Sequence, residues 1–98
     1  MSAAYPWDAD WDGIDDPAEA EALARELARE VCPQHVLSGK AATAIGRRRH
    51  RDSVLFLLDD GKFAQVQLTW NVERDPFWPF TQIYPDFAAW QAVPPEDR

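Results

Sequence analysis

Apolar residues keep two different rhythms along this chain. From Ala20 through Leu23, Ala24, Leu27 and Ala28 to Val31 they recur at spacings of three and four, one stripe of an amphipathic helix. Asp16 stands where an N-cap belongs, Pro17 at the first helical position, and Glu19 completes a start resembling a capping box. Glu21 and Arg25 form a favourable pair one turn apart on the wet face. Pro33 ends the helix near Val31 or Cys32.

After Gly39 the rhythm changes to strand-like. Residues 41–48, with Thr43 and Ile45 in alternation, predict a first strand. Residues 54–58 are a short apolar run, Asp60-Gly61 is a tight hairpin signal, and residues 63–70 read as the return strand. Pairing Leu58 with Phe63 across a two-residue turn sets Leu55, Leu57, Ala64, Val66, Leu68 and Trp70 on the core face. Val54, Phe56, Leu58, Phe63, Gln65, Gln67 and Thr69 then lie on the other. Trp70 is therefore expected to be buried. Residues 71–85 carry Pro76, Pro79 and Pro85 among aromatics, which predicts an ordered loop with a short edge strand over residues 81–84. Asp86 caps a short helix from Phe87 to about Ala92.

The expected fold is α+β: a small antiparallel sheet of about three strands with a central β-hairpin, packed by a long N-terminal helix and completed by a short C-terminal helix. Residues 1–15 read as an acidic N-terminal arm, in which Trp7 and Trp11 are apolar enough to dock. Residues 16–93 read as a single α+β domain, and residues 94–98 as a tail.

Composition narrows the function classes. A chain of 98 residues, 46 % hydrophobic and with five tryptophans, supports one modest core. The single cysteine, Cys32, excludes an internal disulfide, and no apolar run is long enough to span a membrane. A bacterial-type cytosolic setting is expected. Net charge is −7. Nine acids and two bases fall in residues 1–30, whereas residues 31–70 hold six bases and three acids. The acidic total argues against non-specific binding to nucleic acid and leaves room for a basic or aromatic-recognising protein partner.

Four groups of residues suggest chemistry. Asp8, Asp10, Asp12, Gly13 and Glu19 match the calcium-loop pattern D-x-D-x-D-G-x5-E. No entering helix fits before Asp8, however, and the plainer reading is an acidic lead into an N-cap. Cys32 and His35 offer two soft ligands where a structural zinc needs four, and a thiol at a helix C-terminus is poorly activated as a nucleophile. Arg47, Arg48, Arg49, His50 and Arg51 could grip phosphate, or serve as a solvated turn pairing with the acidic arm. The aromatics Trp70, Phe77, Trp78, Phe80, Tyr84 and Trp90 either cover the sheet or form a binding surface.

From His35-Val-Leu-Ser-Gly39 through Leu68-Thr-Trp70 to Trp78-Pro79, the chain resembles a family of small uncharacterised bacterial proteins with an H-x-L-x-G, H-L-T-W, W-P pattern. The resemblance covers roughly residues 20–90 and departs at Gln67, where that pattern has histidine. It implies one shared fold and brings no activity with it. The expectation is a non-enzymatic cytosolic protein-interaction domain without cofactor, binding through Trp78, Phe80 and Tyr84. The alternatives are a weak calcium-binding domain through the loop from Asp8 to Glu19, and a small enzyme or ligand binder whose site assembles only in the fold.

Overall fold

The three-and-four spacing of residues 20–31 produces helix α1, Pro17–Glu30, in the structure, a computed structural model that describes residues 5–8 and 10–98. Asp16 caps it, its Oδ1 accepting the Ala18 N–H at 2.9 Å. Leu23 and Leu27 are buried, and so is Glu30, an acid in the last turn. At Val31 the backbone turns extended, ahead of Pro33.

The strands are β1 Trp11–Gly13, β2 Ala42–Arg48, β3 Ser53–Leu58, β4 Phe63–Gln67 and β5 Phe80–Tyr84, followed by helix α2 Phe87–Gln91 and a 3-10 turn Pro95–Asp97. They form one antiparallel sheet in the order β1-β2-β3-β4-β5. The expected sheet of about three strands under a long helix is thereby corrected: the described residues form five strands, one 14-residue helix and one five-residue helix, α+β only in the coarse sense. The strand that pattern reading lacked is β1, inside the acidic segment. Its sequence Trp-Asp-Gly has poor strand propensity. Its pairing comes from its neighbour, because Asp12 lies opposite Arg47 and bonds Arg49 Nε at 2.9 Å.

The hairpin register is corrected as well. Leu57, not Leu58, pairs with Phe63. The Gly61 N–H donates to the Leu58 carbonyl at 3.0 Å, the Leu58 N–H donates to the Lys62 carbonyl at 2.8 Å, and Gly61 sits at φ +86°. This is a three-residue loop with a glycine bulge rather than a two-residue turn, and the extra residue slips the register by one. The slip re-sorts the faces. Val54, Phe56, Leu58, Ala64, Val66 and Leu68 pack under Leu23 and Leu27 of α1. Leu55 and Phe63 join Ile45, Trp11 and Trp90 in a second cluster on the opposite face.

Both faces are therefore covered, so β3 is apolar at every position from Val54 to Leu58 instead of alternating. Each fully buried large side chain contributes about 1.5–3 kcal/mol. The arm supplies much of the second cover. Trp7 lies 6.3 Å from Trp11 and 5.7 Å from Trp90, centroid to centroid. Gly46, after a bulge in β2, gives Trp7 room: a Cβ there would come within 2.6 Å of Cζ3 and 2.9 Å of Cζ2. Trp90 is fully buried, with its Nε1 donating to Gln65 Oε1 at 2.8 Å. The segment read as a tail also returns to the body, because Arg98 is buried over the Trp90 ring at 4.4 Å.

Candidate functional site

The end of β4 is shaped by the buried acid of α1. Glu30 Oε1 accepts the Thr69 N–H at 2.8 Å and the Thr69 hydroxyl at 3.1 Å, and Oε2 accepts the Trp70 N–H at 2.7 Å. The Glu30 backbone carbonyl takes the Glu73 N–H at 3.1 Å. These bonds draw the chain off the sheet after Gln67 and leave Trp70 at φ +61° with 44 % of its surface exposed. The expectation that Trp70 ends a core strand and is buried is corrected for that reason. Burial, and then the neighbouring Glu26 carboxyl, push the Glu30 carboxyl up to about 7, against the hydrogen bonds from Thr69 and Trp70. Arg29 grips Glu26 at 3.0 and 2.8 Å and holds that carboxyl below its ordinary value.

The loop beyond is held by one histidine. His35 is buried, and its Nδ1 accepts the Leu37 N–H at 3.0 Å. With Nδ1 accepting, Nε2 is the ring nitrogen that donates, to the Pro79 carbonyl at 2.9 Å. The Thr81 hydroxyl donates to the same carbonyl at 3.0 Å. Asp75 closes a turn just upstream, its Oδ1 accepting the Phe77 N–H at 2.9 Å and its carbonyl the Trp78 N–H at 3.0 Å. These anchors fix the backbone on both sides of Phe77 and Trp78 and turn the side chains outward.

The result is an exposed aromatic group on a fixed frame. Phe77 is 56 % exposed, Trp78 and Phe80 41 % each. Their rings touch one another, 4.9 Å between the centroids of Phe77 and Trp78 and 5.5 Å between those of Phe77 and Phe80. Of the sequence-predicted residues, Trp78 and Phe80 are thus brought together through Phe77. Tyr84, at the far end of β5 opposite Phe63, packs half-buried against the inner aromatic cluster, and burial pushes its phenol up. Phe77, a candidate aromatic not chosen among the three anchors, and Ile83, which pattern reading did not single out as a binding residue, are exposed beside them. The available signal was residues 76–85, ten positions without a charge in a chain that is 28 % charged.

The other groups lie elsewhere. Asp8 pairs with Arg98, Asp12 with Arg49 at 2.9 Å and Glu19 with Arg47 at 3.2 Å, so carboxylates of the calcium-loop pattern point to three separate arginines. Among the described residues, no three acid, histidine or cysteine side chains gather where a cation could sit. The basic turn lines an open groove of about 570 Å³ that also holds Asp12, Glu19 and Asp52, and two of its arginines are ion-paired. Cys32 is buried and His35 is committed to Leu37 and Pro79. Gln67, the departure from the family pattern, accepts the Ser53 hydroxyl at 3.0 Å. Among the described residues, no helix is long and apolar enough to cross a membrane.

Compared with protein-family models, curated proteins and solved structures, the chain finds no match.

Proposed function

We propose that this chain is a protein-interaction domain of the bacterial cytosol, acting by binding rather than by chemistry, with Phe77, Trp78 and Phe80 as the anchors. One observation carries the reading: three aromatics joined through Phe77 stay exposed although the backbone on either side of them is pinned by His35 and Asp75. Aromatic side chains on a rigid frame supply contact area at low entropy cost, which is why they dominate interface hot spots. The partner that fits is an apolar segment of another protein, without strong charge, because residues 76–85 carry none.

Selection from a displayed random-peptide library against the immobilised chain tests this. Peptides with one or two large apolar residues should be enriched, and their addition should shift the tryptophan emission. Trp78→Ala should weaken them at least about tenfold, the loss of roughly 1.4 kcal/mol expected of a modest hot spot, while leaving the melting temperature nearly unchanged. Equal binding by the Trp78→Ala chain, or enrichment of acidic or basic peptides independent of the patch, would refute the reading.

A further inference from the structure

The hydrogen-bond parity of the sheet identifies which backbone groups of β5 face outward. Leu58 and Lys62 are a hydrogen-bonded pair, and the Leu68 N–H reaches the Asp52 carbonyl at 3.0 Å, so the even-numbered residues of β4 bond toward β3. Its odd-numbered residues therefore bond toward β5, through the pairs Phe63 with Tyr84, Gln65 with Gln82 and Gln67 with Phe80. That leaves the N–H and C=O groups of Thr81 and Ile83 on the outer side of the last strand of the sheet. The next outward positions in each direction are Pro79 and Pro85. Neither has an N–H, and the Pro79 carbonyl is already taken by His35. The free edge is a short window, two donors wide and closed by proline at both ends.

We propose that this window pairs with its counterpart on a second copy of the chain, the two β5 strands running antiparallel about Gln82 to join two five-stranded sheets into one. The register follows from the residues. With Gln82 opposite Gln82 of the other copy, Thr81 meets Ile83 and Ile83 meets Thr81, both as hydrogen-bonded pairs, so four bonds satisfy all the outward donors of both edges. Pro79 then lies opposite Pro85, where neither strand has a donor to waste. On the α1 side Ile83, 37 % exposed in one chain, is covered by Thr81 of the other. On the opposite side Phe80 meets Tyr84, a favourable aromatic cross-strand pair. No charged side chain lies within residues 76–85 to oppose the approach, although charge is the usual guard of an exposed edge. An unrelated strand would have to match both proline stops, whereas a second β5 matches them by symmetry. The dimer goes beyond the binding function above, because its ladder is made by the backbone of Thr81 and Ile83 and leaves Phe77 and Trp78 out of the pairing.

Sedimentation of the full chain over about 10 µM to 1 mM should show the apparent mass rising toward twofold, with the dimer favoured by added salt because each copy carries net charge −7. Ile83→Pro removes an outward donor and no bond to β4, so it should abolish the dimer and keep the monomer fold, read by tryptophan emission. Trp78→Ala should dimerise like the parent chain, which separates failure of this proposal from failure of the binding function. The register has its own test. Gln82 occupies a non-hydrogen-bonded pair, where opposing Cα atoms lie about 4.5 Å apart, within disulfide reach. Gln82→Cys in a Cys32→Ser background should crosslink between copies on mild oxidation, and Gln91→Cys in the same background should not. A chain that stays monomeric throughout that range, or Gln82→Cys crosslinking no faster than Gln91→Cys, would overturn the proposal, whether or not Ile83→Pro folds.

Discussion

Stability should fall as the pH rises from about 4.5 to about 7, and Glu30 should account for most of that fall. Its carboxyl is held up to about 7 from an ordinary value of 4.5, by burial first and by the Glu26 carboxyl second. Between these two values the folded state keeps a proton that the unfolded chain releases, so each step up in pH favours unfolding. The contribution is fully present below the unfolded value and is lost once the pH passes the folded one. A shift of this size corresponds to about 3 kcal/mol, a large fraction of the stability of a domain this small. Glu30→Gln removes the titration and keeps a side chain of the same shape. It surrenders at least one acceptor among the bonds to Thr69 and Trp70, at a cost of about 1–3 kcal/mol that does not vary with pH. Urea unfolding followed by tryptophan fluorescence at intervals from about pH 4.5 to about pH 8 measures both chains on one scale. The parent should be the more stable at the acid end, and the two curves should converge or cross near neutrality. A parent-minus-variant difference that is flat with pH, or that grows as the pH rises, would refute the reasoning.

Two further substitutions probe the packing behind the site. Gly46→Ala places a methyl group against the Trp7 indole and should cost about 1–3 kcal/mol, with a red shift in tryptophan emission as the arm lifts from Trp11 and Trp90; unchanged emission would place Trp7 elsewhere. His35→Ala leaves the Leu37 N–H without its acceptor and the Pro79 carbonyl without its ring donor. It should cost about 1–3 kcal/mol and make Trp78 more accessible to iodide, whereas loss of stability without that change would mean that the histidine does not hold the loop.

What the sequence made legible follows from which interactions are local. The α1 cap and stripe are written in consecutive residues, Asp16, Pro17 and the apolar positions a turn apart, and they fold as spaced. The hairpin was visible at Asp60-Gly61, but its register was not. Choosing between a two- and a three-residue loop depends on whether the resulting faces can both be buried, and that needs the arm and α2 in place. β1 was illegible because Asp12 and Gly13 disfavour a strand, and only Arg47 opposite Asp12 and Arg49 just beyond β2 favour one there. Trp70 misled for a similar reason. Its strand-like apolar surroundings were overridden by Glu30, a residue 40 positions away that takes its N–H. The aromatic segment was recognisable by composition, but its division into exposed Phe77, Trp78 and Phe80 and half-buried Tyr84 depended on the bond from His35 to Pro79.

The two proposals bear on each other through geometry. In the antiparallel pairing about Gln82, Phe80 of one copy lies opposite Tyr84 of the other, so the two Phe80 residues are offset by four positions, about 14 Å along the strands. The aromatic groups of a dimer would therefore stand near opposite ends of one short seam, close enough for one extended segment of a partner to engage both. Binding at the second group would then be intramolecular, and a partner with two apolar anchors would gain affinity from dimerisation that a partner with one anchor would not. Each copy would contribute a site of ordinary hot-spot size, and the seam would set the spacing at which two such sites act as one. The uncharged run of residues 76–85 would then serve both ends, because the strand that must stay free of charge to pair with its copy begins at Phe80 and directly follows Phe77 and Trp78.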